Sequence, residues 1–375
     1  MLRYMTAGES HGKELIAILD GMVAGVAVDV KFINADLRLR QAGYGRGGRM
    51  KIESDRAEIL SGVYRGRTIG SPIAIRIGNK DKTYSGMEPV HVPRPGHADL
   101  AGLMKYGLDD CRFILERASA RETAARVAAG ALCKLFLKHA GVDIASHTVE
   151  IGGVAVERVP RSVKDIRRLC GRSSLRCVDR GAGRRMIAAI DGARERGDTV
   201  GGVFEVVVTG VPPGLGSHTQ WDRRLDGRLA RAIMSIQAVK GVEIGLGFES
   251  TRLPGSKVHD AILPAGGRSS NNAGGMEGGI SNGEDIVLRG AMKPISTLIE
   301  PLASVNLNTG KAAVAHVERS DICAVPAAGV VAEAAVAFVL AACVIDKFGG
   351  DHVDETLRNL KSYLRDVRKR TGFKV

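Results

Sequence analysis

The stretch 322–345, ICAVPAAGVVAEAAVAFVLAACVI, carries a single charge, Glu333. A helix of that length could cross a bilayer. It could equally be a helix enclosed on every side by a soluble core. Composition favours the second reading. Alanine and glycine dominate, which makes the stretch weakly hydrophobic for a lipid-facing helix. Pro326 sits near its start, where a first helical turn tolerates proline, and Gly349-Gly350 end it. A helix apolar all round needs a thick body around it, and 375 residues supply enough chain for one. A chain of this length forms one large domain or two to three smaller ones.

Shorter signals surround that helix. IAIRI (73–77) and GGVFEVVVTGV (201–211) are rich in β-branched residues and predict strands. SARETAARVAAGALCKLFLKHAG predicts a helix with Ser119 and Glu122 as a capping box. Its apolar face would be Ala128, Leu132, Leu135 and Phe136, with Gly141 beyond its end. A second helix is expected over 223–238, with Asp222 as N-cap and Leu225, Leu229, Ile233 and Ile236 on one face. The tail, about 351–375, predicts a basic amphipathic helix whose charge is a solvated face. Strands and helices do not alternate in a βαβ rhythm, so the expected class is α+β with long glycine-rich loops. The longest, 264–284, has a length typical of functional or disordered loops.

The net charge of +13 points to anionic partners without naming them. QAGYGRGGRM (41–50) concentrates the question. Residues 37–52 hold Arg38, Arg40, Arg46, Arg49 and Lys51 and no acid. That is either a flexible arm for RNA or a loop folded on a small, highly charged anion. RNA-binding arms usually add aromatic platforms for stacked bases, yet aromatics are 4% of the chain and this loop offers only Tyr44. The familiar phosphate motifs are absent: GYGRGG precedes no clear helix, and NTGKAAV lacks the upstream glycine and hydroxyl of a P-loop. The six cysteines form no CxxC pair and no metal box, which suggests free thiols in a reducing compartment. MLRYMTAGES has no apolar core of a signal peptide, so a cytoplasmic location is expected.

Residues suited to chemistry stand beside glycines. GESHG places Ser10 and His11 between Gly8 and Gly12, and RPGHAD puts His97 on a constrained turn with Arg94 before it and Asp99 after. Histidine is the side chain best poised for proton transfer near neutral pH. Arg117 and Arg121, at i and i+4 around a helix start, would share a face near an anion-favouring N-terminus. Asp321, beside Arg319 in RSD, is either functional or an ion-paired cap of the apolar helix. KPIST (293–297) offers a lysine and two hydroxyls for a phosphate.

Several blocks together resemble one family, chorismate synthase. They are GESHGKELIAILDGMV, QAGYGRGGRMKIESD, RPGHADLAGLMKYG, ERASARETAARVAAGA, MSIQAVKGVEIGLGFE, NNAGGMEGGISNGE, MKPISTL and RSDICAVPAAGVVAE. They occur in the family's order and cover about residues 3–348. Departures are small: Ile322 after RSD, Thr199 in GDTVGG, and an arginine-rich stretch over 160–197, expected to be a solvated surface.

The resemblance implies a β-α-β sandwich, with helices between antiparallel sheets, assembled as a homotetramer. It implies loss of phosphate and a ring proton from 5-enolpyruvylshikimate 3-phosphate to give chorismate, in the shikimate pathway, with bound reduced FMN and no net redox change. Arginine's planar fork suits carboxylates and phosphates alike. By resemblance Arg40, Arg46, Arg49, Arg94, Arg121 and Arg319 face the substrate; an alternative assigns Arg40 and Arg46 to a nicotinamide nucleotide. Arg117, Ala118, Ser119, Gln237, Ala238, Gly278, Lys293, Pro294, Ile295, Ser296, Thr297 and Arg319 correspond to FMN-contacting positions. His97 would assist the leaving phosphate. His11, with Ser10 nearby, would keep the flavin correctly protonated. Asp321 would take a proton from flavin N5, so that N5 can receive the C6 proton. No metal, nucleic acid or membrane is expected. Some family members reduce their flavin with NADPH and others need a separate flavin reductase. No large insertion interrupts this chain, which favours the dependent kind.

Overall fold

The computed structural model describes residues 1–48, 53–157, 159, 162–264 and 266–373, with the side chain of Ser85 left out. Two antiparallel sheets enclose a helical centre. The first has the order β1 (Arg3–Ala7), β2 (Glu14–Asp20), β4 (Ile73–Gly78), β3 (Ala57–Ile59). Register explains its inner face. Leu15 pairs with Ile77, Ala17 with Ile75 and Leu19 with Ile73, and all six are buried. Side chains alternate across a strand, so this register sends every one of them to the same side.

The second sheet runs β8 (Val239–Ile244), β11 (Ile286–Met292), β7 (Gly202–Thr209), β5 (Asp143–Ile151), β6 (Val154–Ala155). Between the sheets lie two helices, α4 (Thr123–His139) and α8 (Val325–Phe348). Helix α4 packs on β2 and β4, α8 packs on β5 and β7, and the two helices pack on each other. Helix α1 (Val30–Gln41) leans on both, and α7 (Leu225–Met234) and α9 (Val353–Thr371) flank α8. The α+β class and the layered arrangement agree with expectation.

Helix α8 is the apolar run. Its most apolar window is 83% buried, and it is the one described helix long and apolar enough to span a membrane. Small residues let the central helices approach closely: a Cβ on Gly130 of α4 would lie 2.4 Å from the Ala334 Cβ of α8. The lone charge, Glu333, is buried and satisfied. It accepts from Lys134 Nζ at 2.6 Å, from the Ser146 amide at 2.8 Å and hydroxyl at 2.7 Å, and from Arg176 Nη2 at 2.8 Å. Lys134 also donates to Asp36 of α1 at 2.8 Å. Burial alone would raise the Glu333 carboxyl, but the charges of Lys134 and Arg176 hold it well below the usual carboxylate range. One network thus ties α1, α4, α8 and the second sheet together.

Several local expectations change. Ser119 does cap, accepting from the Arg121 amide, but Glu122 does not complete a capping box. Its carboxylate accepts instead from Thr6 and Arg126. Helix α4 is buried almost all round, while Leu135 of the expected apolar face is only partly buried. Asp222 lies in a 3₁₀ turn, Trp221–Arg223, and α7 starts after Arg224 without a side-chain cap. The glycine-rich 264–284 stretch contains a tight hairpin, β9 (Met276–Glu277) with β10 (Ile280–Ser281). In the arginine-rich stretch, Arg167, Arg168, Arg184 and Arg185 are exposed as expected, but Arg176 turns inward to Glu333.

Candidate active site

The N-terminal end of α8 and the turn that opens α4 converge on a cavity of about 390 Å³, within the range of small-molecule sites. One wall is apolar: Leu115, Ile236, Met292, Ala327, Ala328 and Val331. The rest is polar and cationic, with Arg40, Arg46, Arg94, Arg121, Lys293 and Arg319. Helix N-termini add partial positive charge for an anion.

Each arginine is held in place by acids. Arg40 closes the last turn of α1, donates to Asp55 at 2.7 Å and to Thr123 Oγ1 at 3.3 Å, and is 3% exposed. Burial pushes it down to about 10, so it remains charged at neutral pH. Arg121 donates to the other Asp55 oxygen at 2.6 Å and to Asn79 at 2.9 Å, with Glu53 3.7 Å away. Arg46 pairs with Asp321 at 3.2 Å. Bracing of this kind costs the cations little of their reach. The Arg40 Nε, Arg46 Nε, Arg121 Nη2 and Gln237 Oε1 atoms are buried without a hydrogen bond. Buried polar atoms of this kind call for a partner.

The two histidines are oriented by carboxylates. His97 Nδ1 lies 2.5 Å from Asp99, which also accepts from Arg94 Nε at 2.9 Å. Burial would raise the Asp99 carboxyl, yet hydrogen bonds from His97 and Arg94 hold it well below its ordinary range. An ionised Asp99 accepts only and, at 2.5 Å, is the nearest partner of Nδ1, which favours the His97 proton there over the longer approach of the Arg94 Nη2 donor at 3.1 Å. Arg94 also donates to Thr297 at 3.0 Å, tying the 94–99 turn to the 293–297 segment. His11 Nδ1 lies 2.8 Å from Glu116, and Ser10 Oγ donates to Ser119 Oγ at 3.1 Å.

The cavity gathers most of the expected residues: Ser10, His11, Arg40, Arg46, Arg94, His97, Ala118, Ser119, Arg121, Gln237, Ala238, Lys293, Ile295, Ser296, Thr297, Arg319 and Asp321 all line it. Ala238 has a positive φ of 66°, a strained position of the kind that gathers at functional sites. Asp321 does not cap α8. It accepts from the Gly47 amide at 2.6 Å and pairs with Arg46, so it pins the glycine-arginine loop, while Arg319 reaches Asp81.

Three expected residues among those described are not in the lining. Arg49 lies outside the described residues. Pro294 and Gly278 do not line the cavity, and Gly278 is the exposed turn of the β9–β10 hairpin. Arg117 does not share a face with Arg121. Helix α3 (Cys111–Ala118) ends at an extended Ser119, so Arg117 swings to the Thr6 and Gly8 carbonyls. The sequence reading missed the acids Glu53, Asp55, Glu116 and Glu318. Glu53 and Asp55 had a visible signal, standing just after the acid-free basic run. Glu318, on the cavity rim, is lowered to about 2, first by a hydrogen bond from His316 and further by Arg112.

An apolar wall beside several braced arginines and unsatisfied buried donors fits a ligand that is part flat ring and part anion. Reduced FMN has that chemistry, and the residues present fit it. Among the described residues, no group of three or more His, Cys, Asp or Glu is arranged for a metal.

Comparisons with known proteins give the family. The chorismate synthase family model matches residues 2–345. The chain is 55% identical to the chorismate synthase of Geobacter sulfurreducens, over 98% of this chain and all of that one. It is also 55% identical to that of Moorella thermoacetica, with the same coverage. A crystal structure of chorismate synthase superposes with a TM-score of 0.81 at 45% identity, covering 98% of both chains. The chain therefore belongs to the chorismate synthase family of carbon–oxygen lyases.

Proposed function

We propose that the cavity holds 5-enolpyruvylshikimate 3-phosphate against reduced FMN and releases phosphate by 1,4-elimination, leaving chorismate. The supporting observation is the meeting of Arg40, Arg46, Arg94 and Arg121 with His11 and His97 on one half-apolar cavity. A phosphate and two carboxylates need this density of fixed cations, because a preorganised cation stabilises charge without reorganising.

The residues divide the work. Arg40, Arg46, Arg94 and Arg121 bind and orient the substrate anions, with Arg49 and Arg319 as further candidates. Ser119, Gln237, Ala238 and the 293–297 segment hold the flavin. Gly278 and Arg117 stand outside the cavity of this chain and join that set only through their backbone or an assembled neighbour. Bound reduced flavin would supply electron density for the C–O cleavage and be recovered unchanged. His97, with Nδ1–H on Asp99, presents Nε2 to the departing phosphate; when protonated it donates there. His11 manages protonation through Nε2, since Glu116 occupies Nδ1. Asp321, with one oxygen fixed by the Gly47 amide and the other paired to Arg46, is the carboxylate that accepts a proton in this relay. The C3–O bond breaks with its electron pair leaving on phosphate, and the C6 proton is lost as the new double bond forms.

The reductant is external in this reading. No large insertion interrupts the chain to house a second, nicotinamide nucleotide. We place the enzyme in the cytoplasm as a homotetramer. Exposed Met104, Trp221 and Phe248, at 74%, 82% and 72%, are unusual surface residues that packing between copies would cover. Light scattering should give four times the 39.7 kDa chain mass, and a monomer would remove that part. Titrating FMN fluorescence tests the site. Quenching should tighten when the substrate is present and weaken in Arg121→Ala; no quenching under either condition would count against the reading.

A further inference from the structure

The two cavity histidines are held in different ways. His97 takes its carboxylate partner from two residues along the chain. His11 takes Glu116, 105 residues away on α3. The Glu116 side chain is fully buried. One of its oxygens accepts from the His11 backbone amide at 2.7 Å and the other meets His11 Nδ1 at 2.8 Å. The Glu116 carbonyl accepts from the Ser10 amide at 3.0 Å. A single buried residue therefore fixes the Ser10–His11 turn by backbone and by ring together.

We propose that Glu116 is a positioning residue that sets the tautomer of His11. A carboxylate is an acceptor only, so the nitrogen it faces must carry the hydrogen. Neutral His11 then keeps its proton on Nδ1, and Nε2 is the nitrogen that exchanges protons in the cavity. This is the logic by which a buried carboxylate orients a histidine in acid–base sites. Arg112 supports the arrangement, with Nη1 3.8 Å from Glu116 and 2.8 Å from Glu318, which in turn binds His316 at 2.9 Å. Among the described residues, charged or titratable groups near the pair include Asp81, 3.9 Å from His11 Nε2 and bound by Arg319, and Tyr84, whose hydroxyl is raised by burial and by the Glu116 charge. A residue that only filled space would not need two carboxylate oxygens on one partner.

The kinetic arm rests on the proposed function; the spectroscopic arm does not. Selective ¹⁵N-histidine NMR of the full-length protein, with His11 assigned by its loss in His11→Gln, reads the tautomer directly. Wild type should show neutral His11 protonated at Nδ1. In Glu116→Gln the amide oxygen can keep the backbone bond while the amide N–H faces Nδ1, so the proton should move to Nε2. Turnover should fall between about tenfold and 10⁴-fold, as losses of orienting carboxylates do, with KM changed less than about twofold. Glu116→Asp should keep the Nδ1–H signature, and with wild type it decides the matter if Glu116→Gln fails to fold. An Nε2–H tautomer in wild type, or an unchanged tautomer in Glu116→Gln, overturns the proposal. A correct tautomer response in a protein that makes no chorismate would sink the functional reading and leave the positioning role standing.

Discussion

Asp99 meets His97 and Arg94 at once, and its ionised state is what gives His97 one tautomer. Asp99→Asn should keep the size and lose that preference. Turnover should drop by about 10²–10⁴-fold, with substrate binding changed far less, because a misplaced imidazole proton disables proton transfer rather than binding. Steady-state kinetics checks this, and wild-type kcat in the variant would contradict it. Glu318 gives a pH prediction. Its folded carboxyl is held down to about 2 from an ordinary 4.5. A depressed acid contributes stability above its unfolded value and loses it as pH falls through its folded value, so the window is pH 4.5 to 2. Urea midpoints at pH 6 and pH 3 should differ less in Glu318→Gln than in wild type; an equal difference would contradict the assignment. His11, His97 and Arg46 were legible in the sequence because they sit beside glycines in short motifs, whereas Arg40 and Arg319 took a substrate role only through family resemblance. Glu116 was not, because only the fold brings it to His11 across 105 residues.

At the scale of elements, the central helices depend on close approach. The missing Cβ of Gly130 leaves room for Ala334 of α8, where a methyl would stand 2.4 Å from its Cβ. Gly130→Ala should raise intrinsic helix propensity yet destabilise the protein by about 1–3 kcal/mol, since overpacking a rigid interface outweighs propensity. Chemical denaturation measures it, and a stabilised variant would refute the packing account. Helix α8 was legible from its unbroken apolar run, and strands β4 and β7 from their β-branched residues, while the other strands were not marked this way. The ends of elements were less so. Glu122 suited a capping box by spacing, but Arg126 and Thr6 compete for its carboxylate. Arg117 and Arg121 suited one helix face by spacing, but extended Ser119 divides the helix between them. Tertiary partners decided both, and a linear pattern does not contain them.

For the whole molecule, the layering explains where the site lies. Two sheets clasp α4 and α8, and the loops at one end of these helices carry the charges. The same sequence that makes α8 too apolar for a surface forces a core thick enough to present two helix starts to one cavity. The glycine-arginine stretch 41–48 belongs to that end: Gly47 and Arg46 are fastened to Asp321, so its described part is a folded loop of the site. The sandwich itself was available only through family resemblance, because layer order depends on which faces meet rather than on the local pattern. The most direct measurement is anaerobic turnover of 5-enolpyruvylshikimate 3-phosphate with chemically reduced FMN, following phosphate and chorismate together. Equal amounts of both should form, with the flavin recovered reduced, while oxidised FMN and NADPH in air should give neither. Absence of both products with reduced FMN would contradict the account.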